Sequence, residues 1–543
     1  MRALFARFRW RRSWLTPILV AIGSIGLGFA LTWRGVATWD SLPHLDRSRW
    51  LLHELGLPSS RPSDGLIEML KWYGPLWALW LGLWSELVFP FLRDPLWVQQ
   101  AFNFALYPFG LYAVVRLLVR AGVRRSTSWL AVSLLFSAIR LGGHALVNVN
   151  DFPMAMLSLL VMLHLWNKLR ETDVIARASG QVSYLTLCLL GVVAMVPFLV
   201  RPPVLVQSVT LTVFLAVYTC TTLRHASRVT RVAVVAIPLL AGGLFAVSIW
   251  PSLWEHRRAL PRLTAITGFT RFAWVGEVRY FGHSALSTQL PRYYPFIWLP
   301  VMLTPPAFVL VVLGLSGIWS GAHPVGNVFR SEIWGRGVDL TLRRWLALHT
   351  ALLWLAVLLI HPTLYDEERH LLFLYPPLLL VAALGLDNLD ERLKWALTVL
   401  LVATSLVSYA HWGRYAYVYK SPLIGDESAG RFEGDYWGVC VPLAVSALQG
   451  RVPPGSAVVV SAPYDAALAE YDRLRQSRFR ARPDFGPYRL ASRPFRPGDY
   501  SIVYNRNGGD AEVLRAVRDG RATLLWQAPM PPDDPACLIV RRL

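Results

Sequence analysis

The sequence predicts an α-helical polytopic membrane protein of about 11 transmembrane helices, followed by a soluble C-terminal α/β domain. Three observations predict it. Of 543 residues, 54% are apolar and only 16% charged, against about 25% charged in soluble domains. The apolar residues collect in repeated runs of helix-spanning length, separated by short basic or aromatic punctuation. From about residue 430 the texture changes, as Pro, Gly, Asp and Arg rise and the apolar runs shorten. A hydrocarbon core of about 30 Å takes about 20 apolar residues in helical form, because a helix satisfies its own backbone in lipid. A β-barrel would instead show alternating segments of about 10 residues. The sequence excludes that class.

The runs fall at about 14–33, 96–117, 127–143, 153–167, 182–200, 203–222, 232–250, 294–318, 344–361, 371–386 and 395–410. The first follows Arg2, Arg7, Arg9, Arg11 and Arg12 and lacks a small-residue cleavage site, which reads as an uncleaved helix. Segment 72–92 holds Gly74, Pro75 and Glu86 and is dense in Trp, so an interfacial or re-entrant helix is expected there. Orientation favours that choice. With a cytoplasmic amino terminus, the inner connections are 118–126, 168–181, 223–231, 319–343 and 387–394, and each carries Lys or Arg. Were 72–92 to span, these basic loops would turn outward.

The expected location is therefore the cell (plasma or inner) membrane, crossed many times. Residues 1–410 form the membrane domain, with extracytoplasmic loops 34–95 and 251–293. Residues 411–543 form the extracytoplasmic α/β domain, with strands at 456–463, 499–506 and 536–543. Its "WGVCVPLAVSALQG" and "DAEVLRAVRDG" read as helices, stopped near Gly450 and Gly520.

The formal charge of +20 raises nucleic-acid binding, but the Arg residues mark the ends of apolar runs instead of forming one basic domain. No nucleic-acid partner is expected. Four Cys are too few for a disulfide scaffold. Cys188 and Cys220 lie in apolar runs, while Cys440 and Cys537 lie in the tail, where an oxidising compartment leaves a disulfide open.

Three polar constellations fall on the outer side. "TWDSLPHLDRSRW" (38–50) follows the first helix and holds Asp40, His44, Asp46 and Arg47. "HALVNVNDFPMAM" (144–156) opens the fourth with His144, Asn148, Asn150 and Asp151. "HPTLYDEERHLLFLYPP" (361–377) holds Asp366, Glu367, Glu368, Arg369 and His370. Any one acid at a membrane boundary reads as an ordinary loop residue. Convergence at one face is what suits transfer from an anionic lipid, which needs a carboxylate to take a proton and cations to bind the leaving phosphate.

The order of these features resembles the GT-C glycosyltransferases, particularly bacterial relatives of the protein O-mannosyltransferases and the lipid A aminoarabinose transferase. The matching residues are Asp40 after the first helix, Tyr73-Gly74-Pro75-Leu76, and Asn150-Asp151-Phe152-Pro153. The stretches 290–315 and 367–386 also resemble segments of that family, and the resemblance covers about 1–410. It implies a polyprenyl-phosphate-linked sugar donor, inverting transfer, membrane lipid around the site and an acceptor that is protein, lipid or glycan. Asp40 would then be the base, with Asp151 positioning the acceptor or a metal. Arg201, Arg369 and His370 would bind the phosphate, and Tyr73 and His44 the substrate. Ser41 follows Asp40 where many members carry a second acid. That leaves use of a divalent metal open and keeps Asp46 as a rival base. A transporter or lipid-handling protein, or a non-catalytic subunit of an envelope assembly, are the alternative readings.

Overall fold

The computed structural model describes residues 2–32, 38, 40–59, 73–92, 94–179, 183–201, 205, 207–211, 228–251, 275–319, 342–425, 431–460, 489–490, 498–504, 509–531 and 534–543. Most of them are helical. Among the described residues, five helices are long and apolar enough to cross a membrane: Leu15–Thr32, Pro95–Arg120, Asp151–Glu171, Leu342–Ile360 and Glu391–Val418. Shorter apolar helices at Tyr184–Val200, Val235–Ile249, Pro305–Ser316 and Arg369–Gly385 join them. The first and last of the five bury only 17% and 22% of their spanning windows. They therefore turn side chains such as Leu19, Ile22, Val399 and Val407 outward, as lipid-facing helices do. Most of the expected run at 203–222 lies outside the described residues.

Two expected spans are broken, and the breaks meet. Run 127–143 divides at Ser137 and Ala138, between helices Arg125–Phe136 and Ile139–Val147. Run 294–318 divides at Leu303 and Thr304, between Tyr294–Met302 and Pro305–Trp319. Pro305 and Pro306 disfavour helix in the residue before them. A break in apolar surroundings frees backbone groups that need partners. Here Thr304 N donates to Ser137 O at 3.2 Å, and Ala138 and Leu303 form an antiparallel bridge.

The stretch after the first helix, expected as loop, is helix Ser41–Glu54. Pro43 lies in its first turn, where a missing N–H costs nothing. Within 72–92, helix Pro75–Gly82 starts on a proline and continues as a π-helix over Leu83–Val88. Its 8 plus 6 residues reach about 20 Å, short of a hydrocarbon core of about 30 Å. It packs on helices Ser41–Glu54, Pro95–Arg120 and Tyr184–Val200. Gly74 is required at its start, because a Cβ there would lie 2.2 Å from Leu199 O.

Strands β1 Glu277–Tyr280 and β2 His283–Leu286 pair antiparallel, and the described residues of the tail form a separate five-stranded sheet in the order β4-β3-β5-β7-β6. The strands are β3 Ala457–Val460, β4 Arg489–Leu490, β5 Tyr500–Tyr504, β6 Ala522–Met530 and β7 Asp534–Arg542. Strand β3 runs parallel to β4 and β5, while β7 runs antiparallel to β5 and β6. Helices Val441–Leu448 and Gly509–Arg518 accompany it, with Gly450 and Gly520 at positive φ just beyond them. Cys440 and Cys537 are disulfide-bonded, tying the segment before the first helix to β7. This unit shares an apolar core with helix Ile139–Val147, through Trp412–Val418 and Trp437–Val445. Contact is close enough that a Cβ on Gly143 would fall 2.1 Å from Tyr417 N.

The two ends of the helices differ. At one end Lys168 meets Glu171 at 2.9 Å, Arg120 also pairs with Glu171, and Lys394 meets Glu391 at 2.8 Å. Asp40, Asp151, Arg201 and the 361–370 stretch all gather at the other.

Candidate functional site

The site is built from helix termini, where polar groups are available without breaking a helix interior. Asp40 stands at the N-cap position of helix Ser41–Glu54, its carboxylate making no capping bond to that helix. His44 and Arg47 follow it one and two turns on, sharing its face. His44 Nε2 lies 3.5 Å from Asp40 Oδ2 and 2.6 Å from Asn150 Nδ2. Arg47 reaches the start of the next helix, donating to Tyr73 O at 2.7 Å and to Gly74 O. Asp46 points elsewhere. It lies 3.7 Å from Arg49 Nη1, and Arg49 Nε donates to Glu86 at 2.9 Å.

Asp151 starts the helix Asp151–Ser179. Asn148 Oδ1 accepts from Asn150 N at 3.1 Å and Asp151 N at 2.9 Å, closing the turn that leads into that helix. Both carboxylate oxygens of Asp151 are engaged. Oδ2 accepts from Asn148 Nδ2 at 3.0 Å and Oδ1 lies 2.5 Å from Arg201 Nη1. Arg201 follows the last residue of helix Tyr184–Val200, and its guanidinium lies 4.9 Å over the Tyr73 ring.

The stretch 361–370 supplies the rest. Asp366 and Glu367 hold φ of 52° and 60°, a left-handed backbone costing about 1–3 kcal/mol each and typical of functional turns. Arg369 lies 2.9 Å from Asp366 Oδ2 and 4.0 Å from Asp40 Oδ2. Its guanidinium sits between the Tyr365 and Trp437 rings, 4.8 Å from each. Arg369 Nε has no hydrogen-bond partner among the described residues. His370 packs edge-on against Tyr365 at 4.5 Å, and its Nε2 is likewise unpartnered.

The structure thus brings Asp40, His44, Tyr73, Asp151, Arg201, Arg369 and His370 together and sets Asp46 apart. Asp40 keeps 18% of its side chain exposed while Asp151 keeps 1%, so Asp40 is the acid a substrate can reach. Burial alone would raise its pKa, but His44, Arg369 and Arg201 outweigh burial and hold the carboxyl below the ordinary range. Burial, opposed by Arg201, raises the Tyr73 hydroxyl and keeps it protonated. Asp40 is met by His44 and Arg369, and Asp151 by Arg201 and the Asn148 amide, so guanidinium groups occupy positions a divalent metal ion would need. Among the described residues, no three His, Cys, Asp or Glu side chains gather as ligands.

Sequence reasoning missed three contributors, Arg140, Tyr436 and Trp437, and named His144 without giving it a role. Arg140 is fully buried and pairs with Glu367 and Glu368, and its Nε donates to Tyr419 O at 2.6 Å. His144 Nε2 lies 3.5 Å from Glu368 and 3.4 Å from the Tyr436 hydroxyl. Trp437 and Tyr436 come from the tail, with no local signal to separate them from core aromatics. Arg140 had one: a charge inside the run "SAIRLGGHALV" is rare unless it is paired.

No family model matches the chain. Over 96 residues it is 27% identical to the WD repeat-containing protein RUP2 of Arabidopsis thaliana, covering 18% of this chain and 24% of that protein. The chain spans about a quarter of the length of that relative. Among solved structures, it is similar to ArnT from Cupriavidus metallidurans in the apo state, with a TM-score of 0.48, 12% identity and 98% of both chains covered. It is also similar to ArnT bound to undecaprenyl phosphate, with a TM-score of 0.46, 12% identity, and 97% of this chain and 98% of that one covered. At such identity the likeness is one of chain course, and the chemistry of the site rests on this chain's own residues.

Proposed function

We propose that this chain is a GT-C-like membrane glycosyltransferase that moves a sugar from a polyprenyl-phosphate carrier to an acceptor hydroxyl on the extracytoplasmic face. The observation that carries the reading is the meeting of Asp40, Asp151, Arg201 and Arg369, from four remote segments, at one end of the helices. Asp40, ionised and partly exposed, takes the proton from the acceptor as the anomeric carbon is attacked from the face opposite the phosphate. Asp151, 1% exposed and paired with Arg201 and the Asn148 amide, holds Arg201 and leaves the proton to Asp40. A guanidinium has five N–H donors, so Arg201 and Arg369 keep donors for phosphate while paired to their acids. Both then stabilise the charge that grows on the phosphate as its bond to sugar breaks. Tyr73 supports Arg201 from below, and His370 Nε2 supplies a third phosphate contact. Residues 1–410 form the membrane domain and 411–543 an outer domain.

Vesicles bearing the chain, given radiolabelled polyprenyl-phosphate sugars, test this. Label should move to an acceptor at a rate absent from vesicles without the chain. Label that stays on the carrier for every sugar tried would overturn the reading.

Arg369→Ala removes a charge-assisted contact worth about 1.5–3 kcal/mol, so donor affinity should fall by about 10- to 100-fold. Turnover should fall as well, because the lost contact strengthens in the transition state. Unchanged donor binding would remove Arg369 from the phosphate site. The topology has its own check. Ser446, exposed at the start of the tail, becomes cysteine in a background with Cys188→Ser and Cys220→Ser. A membrane-impermeant maleimide should label it in right-side-out vesicles, and labelling only after permeabilisation would contradict the orientation.

A further inference from the structure

We propose that His144 is a positioning residue, which through Asn148 sets the carboxylate of Asp151 and so the placement of Arg201. The proposal rests on the transferase reading and adds a residue buried beneath the site, out of reach of substrate. Asn148 Oδ1 is committed to two backbone donors, Asn150 N and Asp151 N. Its amide orientation is thereby fixed, leaving Nδ2 with two hydrogens to place. One goes to Asp151 Oδ2 at 3.0 Å and the other to His144 Nδ1 at 3.2 Å. Nδ1 is therefore an acceptor, and the ring proton sits on Nε2. That nitrogen faces Glu368 Oε1 at 3.5 Å, and Glu368 is anchored by Arg140.

His144 and Glu368 have no exposed side-chain surface, and Asn148 and Asp151 are 2% and 1% exposed. At such burial a hydrogen-bonding group that loses its partner is costly. If Nδ1 is removed, one Asn148 N–H is left unpaired, and Glu368 Oε1, which has no hydrogen-bond partner among the described residues, lies on the far side of the imidazole position. The amide then turns toward Glu368 and away from Asp151, and the Asp151–Arg201 pair loses its second support.

Two variants separate positioning from packing. In His144→Asn the side-chain oxygen can stand near Nδ1, while in His144→Gln the polar end reaches the Nε2 position and Nδ1 is lost. Both are assayed as full-length protein in vesicles with the radiolabelled donor, and the structure of each is determined by electron cryo-microscopy. His144→Asn should keep turnover near wild type, whereas His144→Gln should lose about 10- to 100-fold, the cost of misplacing a site group by about an ångström. The His144→Gln structure should show Asn148 Nδ2 turned from Asp151, a readout that needs no transfer activity. Equal turnover in the two variants, or an undisturbed Asn148–Asp151 contact in His144→Gln, would overturn the proposal. A wild-type protein that transfers no sugar would overturn the transferase reading alone, since the structural comparison would still decide the positioning role.

Discussion

Replacing Arg140 with alanine should destabilise the folded protein by about 3–5 kcal/mol, the usual result of breaking a buried ion pair from one side. Arg140, Glu367 and Glu368 are all fully buried, and the one guanidinium serves both carboxylates. Its removal takes from two adjacent buried acids the one cation that pairs with both, and also removes the donor to Tyr419 O and the cation over the Trp298 ring at 4.9 Å. A folded state held by about 5–15 kcal/mol loses a large share of its margin. Thermal unfolding of purified protein in detergent measures this, and a midpoint equal to wild type would contradict it. The triple variant Arg140→Met, Glu367→Gln, Glu368→Gln should recover most of the loss, because replacing all the charged partners leaves no charge buried alone.

Asp40→Asn should reduce turnover by more than about 10²-fold while donor binding survives. Asparagine keeps the size of the side chain but cannot take a proton from an acceptor hydroxyl. The phosphate contacts from Arg201 and Arg369 do not pass through Asp40, so the carrier should still bind. The pH profile carries a related signature. A carboxyl held below its ordinary range stays ionised to lower pH, so its contribution is kept above that depressed value and lost only below it. Wild-type turnover measured across pH should therefore stay level through about pH 4–5, where ordinary carboxylates protonate, and a fall there would contradict the lowered Asp40.

Much of this fold was legible because lipid-facing helices are written as long apolar runs. Leu15–Thr32 and Pro95–Arg120 follow their runs closely, and β5 and β7 lie where short apolar strands were expected. The break at Ser137 has no local signal, whereas Pro305 and Pro306 mark the one at Leu303, and the meeting of the two is visible only in the fold. Helix Ser41–Glu54 was hidden by Pro43 and by a charge-rich pattern that suits a loop. Its absence from the reading mattered. In a loop Asp40 and Asp46 are equivalent, but on a helix six positions place them on different faces. Arg369 was legible as a cation near acids, whereas its clamp between Tyr365 and Trp437 depends on a tail segment brought in from another part of the sequence.

The most direct test of Asp40 as the base is a single-turnover experiment on donor already bound, comparing Asp40→Asn with Asp46→Asn. Asp46 pairs with Arg49 away from the site, so its variant should release sugar from the carrier at close to the wild-type rate. Asp40→Asn should hold the donor and release almost none. A normal rate in Asp40→Asn beside a dead Asp46→Asn would move the base to Asp46, and normal rates in both would end the account of an acid at this helix as the base.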